Sequence, residues 1–196
     1  MKNAMMQKFD KPAAVVLAVM SVGLVAALMM NDGFMQWAFA RHHNQLSWYI
    51  RPLFLIPFCF FAYVRSWAGI AGTVLAVLSS MFWFPAPEVI DPRVAEFLKM
   101  EQEYLSGNWG AVKILLTLLV PVSMSVLALA FWKRSLWLGI AVLVFIAAAK
   151  MLWSVVFGGE AGRAVIVPAI VALVVCVVLV WFGFHRLQKR NRAGRM

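Results

Sequence analysis

Long uncharged apolar runs, separated by short clusters of charge, organise this chain. Residues 15–30, 69–84, 136–149 and 164–184 carry no Asp, Glu, Lys or Arg. Apolar stretches of about 20 residues match the thickness of a bilayer core when helical. Six segments have that length: 12–30, 46–63, 67–84, 111–132, 135–157 and 164–184. The runs are solidly apolar and lack the period-two alternation of a membrane barrel strand, so each is expected to be a helix whose backbone groups bond within the segment. The second carries Arg51, Pro52 and Pro57, which predicts a kink; a re-entrant segment, leaving five spans, is the alternative. In the third, Gly72, Ala76 and Ser80 follow the small-xxx-small spacing that lets helices approach closely. No internal repeat or low-complexity segment is evident.

One extramembrane piece has a different period. Asp91-Pro92 has the form of a helix start, a capping carboxylate followed by proline, and Gly107 marks the end. Between them, about 92–105, Val94, Phe97, Leu98, Tyr104 and Leu105 make one apolar stripe. Glu101 falls between Phe97 and Leu98 in projection, in the middle of that stripe, whereas Glu96, Lys99 and Glu103 lie on the polar face. A carboxylate on a docking face must be paired, hydrogen-bonded or protonated.

Composition supports the membrane reading and charge orients it. Of the 196 residues 64% are apolar and 13% charged, far from a soluble average, and the formal charge is +10. With six spans, Lys2, Lys8, Lys11, Arg65, Lys133, Arg134, Arg186, Lys189, Arg190, Arg192 and Arg195 share one side with a single acid, Asp10. The other half has seven basic and seven acidic residues. The positive-inside rule then puts both termini in the cytoplasm of a cell membrane, plasma or bacterial inner, with the 92–105 helix outside. Tryptophans fall near span ends, as interfacial belts require. The first span exceeds an ordinary signal-peptide apolar region, and Ala38-Phe39-Ala40 lies too far beyond it for a cleavage site, so it is expected to be retained. The excess charge is a topology signal, and nucleic-acid binding is not expected. The basic tail 185–196 should attract anionic lipid.

Candidate chemistry lies in the balanced outer half. Arg51 and Lys150 are cations within spans; such a charge costs about 2.5–3.5 kcal/mol at a helix centre and needs protein, water or a partner. Lys150 is expected either in an internal ion pair or snorkelling, or at a substrate, lipid or proton site. Arg51 suits a lipid phosphate or a protein acid. Glu101 is expected to pair with Arg51 or Lys150 and close a polar cavity, to which Lys113 and the stripe Thr117, Pro121 and Ser125 also belong. His42 and His43, before span 2, read as interfacial polar residues with Asn44 as the helix cap; a metal site is the alternative, although no H-x-x-x-H spacing exists. Cys59 and Cys176 sit in apolar runs as packed side chains, with no disulfide or zinc pattern. No cofactor motif and no complete catalytic set is present.

The sequence therefore describes an all-α, polytopic membrane protein of one domain: six helices, N-in and C-in, with an outer amphipathic helix between spans 3 and 4. Its expected role is to bind a lipid or protein partner, or a second copy, through a charged outer cavity built from Glu101, Lys150, Arg51, His42, His43 and Lys113. A small carrier coupling through Lys150 and Glu101 is the alternative, and an outer-leaflet enzyme using His42, His43 or Glu101 as acid or base is a third.

Overall fold

Helix-forming apolar runs closed by prolines, glycines and basic turns produce an all-helical chain. The computed structural model describes residues 4–163 and 166–193, with side chains described over 8–159, at 162 and 163, and over 166–186. The helices are α1 (Ala4–Met30), α2 (Asp32–His42), α3 (Leu46–Leu53), α4 (Leu55–Tyr63), α5 (Trp67–Ser79), α6 (Pro92–Ser106), α7 (Ala111–Trp132), α8 (Leu136–Gly162) and α9 (Ile166–Ala193), with a 3-10 turn at Ser80–Phe82. Among the described residues five stretches are long and apolar enough to cross a membrane: Lys8–Met30, Leu46–Tyr63, Ala111–Trp132, Leu136–Gly159 and Ile166–Arg186. No strand occurs among the described residues. The side chains of Lys189, Arg190, Arg192 and Arg195, on which the expected lipid attraction of the tail rests, lie outside the described residues.

The segment expected at 46–63 keeps its bounds and forms a helix with a break. Phe54 separates α3 from α4 while staying in the right-handed helical region. Near this break the Cys176 thiol of α9 donates to the Pro52 carbonyl at 3.3 Å. A neighbouring helix thus satisfies a backbone acceptor at a proline kink, as a bundle can. The segment expected at 67–84 is corrected: its apolar helix is shorter and ends at Phe82. At 1.5 Å per residue, 67–82 covers about 24 Å, less than a bilayer core of about 30 Å. The sequence Phe84-Pro85-Ala86-Pro87 stops it, because proline removes donors and biases the residue before it away from helix.

Two ends are distinguishable. At one, Arg65 donates twice to the Trp132 carbonyl, at 3.3 Å each, the Trp67 and Trp132 rings lie 4.7 Å apart, and Arg134 lies over the Tyr63 ring. Tyr63 and Phe131 both meet Phe184 there. The turns α4–α5 and α7–α8 are built alike. Arg65 and Arg134 take positive φ, 57° and 58°. The following serine N–H reaches back five residues, Ser66 to Phe61 and Ser135 to Ala130, which is the Schellman closure. Helix α1 joins this end through Asp10, whose carboxylate accepts from the Ser66 hydroxyl at 2.6 Å and from the Trp67 amide at 2.9 Å. An acid on one helix therefore caps the start of another, and α1 and α5 run parallel, with Leu17 beside Gly72. Between the ends lies a core of Phe58, Cys59, Leu127, Phe131, Leu143 and Cys176 with their neighbours.

The other end carries a cap. Asn31 accepts the Phe34 amide and starts α2, a helix between the first two expected spans. Met35, Ala38, Phe39, Trp48, Met81, Val94, Phe97 and Leu98 form a second core beneath α2 and α6. The amphipathic α6 has the expected caps: Asp91 accepts the Arg93 amide, Pro92 opens the helix, and Gly107 closes it. Arg93 beside Asp91 holds that carboxyl below the usual carboxylate range. Val94, Phe97 and Leu98 are buried, Glu96, Lys99 and Glu103 exposed, and Glu101 half-buried.

Candidate functional site at the capped end

The turn between α2 and α3 puts the last residue of one helix against the first turns of the next. His42 ends α2 and is 4% exposed, which corrects its expected place in an interfacial loop: the apolar stripe of α2 carries it inward. Its Nε2 lies 2.8 Å from Arg51 Nη1 and its Nδ1 2.9 Å from Ser47 Oγ. The Ser47 hydroxyl donates to the Asn44 carbonyl at 2.8 Å, so Ser47 Oγ accepts from the ring. Guanidinium only donates, so Nε2 must accept. The chain of donors runs Arg51 to His42 to Ser47 to Asn44, and it requires a neutral imidazole protonated at Nδ1. Burial first, then Arg51, His43 and Lys150, push the His42 pKa down to about 3, which agrees with that assignment. Trp48 completes the frame by donating its indole N–H to the His42 carbonyl at 3.1 Å.

Arg51 and Lys150 both act electrostatically in this neighbourhood, Lys150 on His42 and Glu101 on Arg51. The expected direct pairing of Glu101 is corrected: among the described residues no contact of 4.0 Å or less joins it to Arg51 or Lys150, because its helix α6 packs on α8 and α2 and Glu101 acts on Arg51 only through space. The close ion pairs of α6 are on its surface, Asp91–Arg93 at 3.2 Å and Lys99–Glu103 at 4.0 Å. Arg51 is half-buried, and among the described residues its one close hydrogen-bond acceptor is the uncharged ring of His42.

Two residues of the expected cavity lie elsewhere in function. Lys113 donates to the Gly107 carbonyl at 2.9 Å and sits over the rings of Tyr104 and Trp109, at 4.8 and 4.4 Å. These contacts satisfy it at the α6–α7 corner, where Tyr104 also meets the Thr117 hydroxyl at 3.0 Å. His43 turns Nδ1 onto the Phe39 carbonyl at 2.8 Å. Asn44 is one residue before the position expected of a cap: Gln45 precedes α3, and Asn44 accepts the Leu46 amide while donating to the Pro85 carbonyl. Among the described residues no group of three or more His, Cys, Asp or Glu is placed to hold a metal ion. Among the described residues, one groove of about 340 Å³ lies between α2 and α6, lined by Asp32, Gln36, Lys99 and Gln102, and one of about 310 Å³ lies between α6 and α8, lined by Met100 and Phe157; neither is lined by Arg51 or Lys150.

Sequence reasoning missed Ser47 and Trp48. The signal for α2 was present: Asn31 and Asp32 at the start, Arg41 and His42 at the end, and the spacing Met35, Ala38, Phe39, His42. No family model matches the chain, and no curated protein or solved structure is significantly similar to it.

Proposed function

We propose that this chain is a six-span protein of the plasma or bacterial inner membrane, with both termini cytoplasmic, that binds an anionic ligand at its capped outer end without transforming it. The carrying observation is that Arg51 donates to a neutral histidine rather than to a carboxylate. A second cation, Lys150, acts on the same histidine. A cation in a spanning helix is costly without a partner, and among the described residues no carboxylate lies within 4.0 Å of Arg51 or Lys150. The gathering of Arg65 and Arg134 at the opposite end supports the orientation. The short 67–82 segment counts as a span because the α2–α6 cap shields its upper end from lipid.

The test uses full-length protein purified in an uncharged sugar detergent. Anionic amphiphiles of several chemistries, a short-chain phosphatidylglycerol, a fatty acid and an alkyl sulfonate, are titrated while thermal unfolding is followed. Ligand that binds only the folded state raises the midpoint. At least one amphiphile should give a saturable rise that is lost when Arg51→Gln and Lys150→Met are combined. No rise, or an equal rise in the double variant, rejects the reading.

A further inference from the structure

Two side chains on the packed faces of α7 and α8 are exposed where their neighbours are covered. Val120 shares its face with half-buried Leu116, Thr117 and Met124 and with buried Leu127, yet it is 65% exposed. Lys150 shares its face with half-buried Ile146 and Ala147 and with buried Leu143 and Ser154, yet it too is exposed. Both helices start from one short turn, so heights can be counted from it. Val120 lies twelve residues before Trp132 and Lys150 fourteen after Leu136, about 18 and 21 Å along the two axes. The two exposed positions stand at one level.

A lateral window between α7 and α8 accounts for both. Below it, Met124 and Ile146 still pack on the core of Leu127, Phe131 and Leu143. Above it, α6 ties the helices together, through Tyr104 on the Thr117 hydroxyl at 3.0 Å and through Phe97 and Met100 against Gly158. Pro121 sits beside Val120, and a proline inside a helix kinks it, which lets α7 diverge here. The Leu46–Tyr63 segment packs on α7 through α4, its inner half, whereas α3 packs on α9.

Lys150 is thus an ammonium at membrane depth in an opening with apolar walls. Among the described residues no carboxylate lies within 4.0 Å of it, and such a charge is costly alone. Depth selects what meets it. Lys150 is nine residues, about 14 Å, below Gly159, where the spanning stretch ends, and a lysine stem covers less than half of that. A lipid phosphate lies beyond the apolar core, out of reach, whereas a carboxylate carried on a second spanning helix is held at a fixed depth. A second copy of this chain supplies none, since Asp10, at the opposite end of its stretch, is the one acid in the five spanning stretches. Ala147 and Ala149 flank Lys150, and side chains this small let a partner helix approach closely. Resting on the reading of an anionic ligand at this end, we propose that the window receives a spanning helix of a different protein, whose aspartate or glutamate meets Lys150.

The probe is a synthetic spanning peptide of leucine and alanine with one glutamate near its middle, placed with the full-length protein in phosphatidylcholine vesicles. Energy transfer from the tryptophans to a dansyl group on the peptide reads binding. The glutamate peptide should bind about tenfold tighter than one with leucine there, or with the glutamate moved to its end. Lys150→Met should bring the three peptides level, and Val120→Trp, which fills the window, should weaken the glutamate peptide several-fold, both variants remaining monodisperse. Glu160→Gln should leave the affinity unchanged; a tenfold gain would mean that Lys150 already has its anion within the chain, and overturns the proposal. Equal binding of all three peptides to the unaltered protein overturns it as well. In that case a rise in unfolding midpoint with anionic amphiphiles that needs Arg51 and Lys150 keeps the anionic reading, and a rise confined to phosphatidylglycerol puts a lipid in place of the helix. Tight binding that survives Lys150→Met removes the ammonium as the contact, and tight binding that survives Val120→Trp removes the window. Absence of both the peptide and the amphiphile responses overturns both readings.

Discussion

His42 converts a positional detail into a pH response. Its folded pKa, about 3, lies below the unfolded value near 6.5, so the unfolded chain binds the extra proton over that interval. Stability contributed by the neutral ring is complete above pH 6.5 and falls as the pH drops, by up to about 1.4 kcal/mol per pH unit. Thermal unfolding between pH 7 and 4 should show this decline. His42→Gln, which accepts from Arg51 without titrating, should flatten it; a wild-type slope in that variant would remove His42 as the cause. Asp91 acts lower, since its carboxyl is held below the ordinary range and its contribution fades only under about pH 4. At this scale the sequence was readable in part. Arg51, Glu101 and Lys150 stand out because charge in or against apolar surface is rare. The bond from Arg51 to His42 spans nine residues across a helix break and has no period to betray it.

Among elements, those with strong periodicity and explicit stops were the readable ones. Helix α7 has the expected bounds, 111–132, and α6 exceeds its expected end by one residue, because Asp91-Pro92 and Gly107 state their roles locally. The pairing of α1 with α5 is different in kind, for it depends on Asp10 reaching residues 66–68, a partner no local pattern names. Asp10→Ala should remove this cap at a cost of about 0.5–2 kcal/mol, and Asp10→Asn, which still accepts, should restore part of it. The readout is the denaturation midpoint in detergent together with protease sensitivity of the segment near Ser66. Unchanged stability in the alanine variant would show that α1 is held by apolar packing alone. Gly69 marks another such contact, because a methyl there would strike the Phe61 ring across the α4–α5 turn.

For the molecule as a whole, the two ends differ in chemistry as well as shape. Basic turns and aromatic rings occupy one, and a helical cap over a second core occupies the other. The two arginines at positive φ are informative here, since glycine would adopt that conformation without the roughly 1–2 kcal/mol penalty. Charge stands at these turns in spite of backbone cost, as a topology signal would require. Single cysteines should report it: Glu88→Cys should react with an impermeant thiol reagent on intact cells, and Lys133→Cys only after the membrane is opened. The reverse pattern would invert the proposed orientation. Cys59 and Cys176 are buried and leave the background low.

The Asp10 contact also sets an order of events during synthesis. The acid and the Trp67 amide it holds are 57 residues apart. At about 5–20 residues per second, ribosomes need roughly 3–11 s to make the intervening chain. During that interval the first helix has no partner to cap, and the hairpin of α4 and α5 must emerge before it can dock. Early truncations ending before Trp67 would therefore leave that helix to lateral diffusion, whereas the parallel pair can close once α5 has been made, with α6 to α9 still to follow.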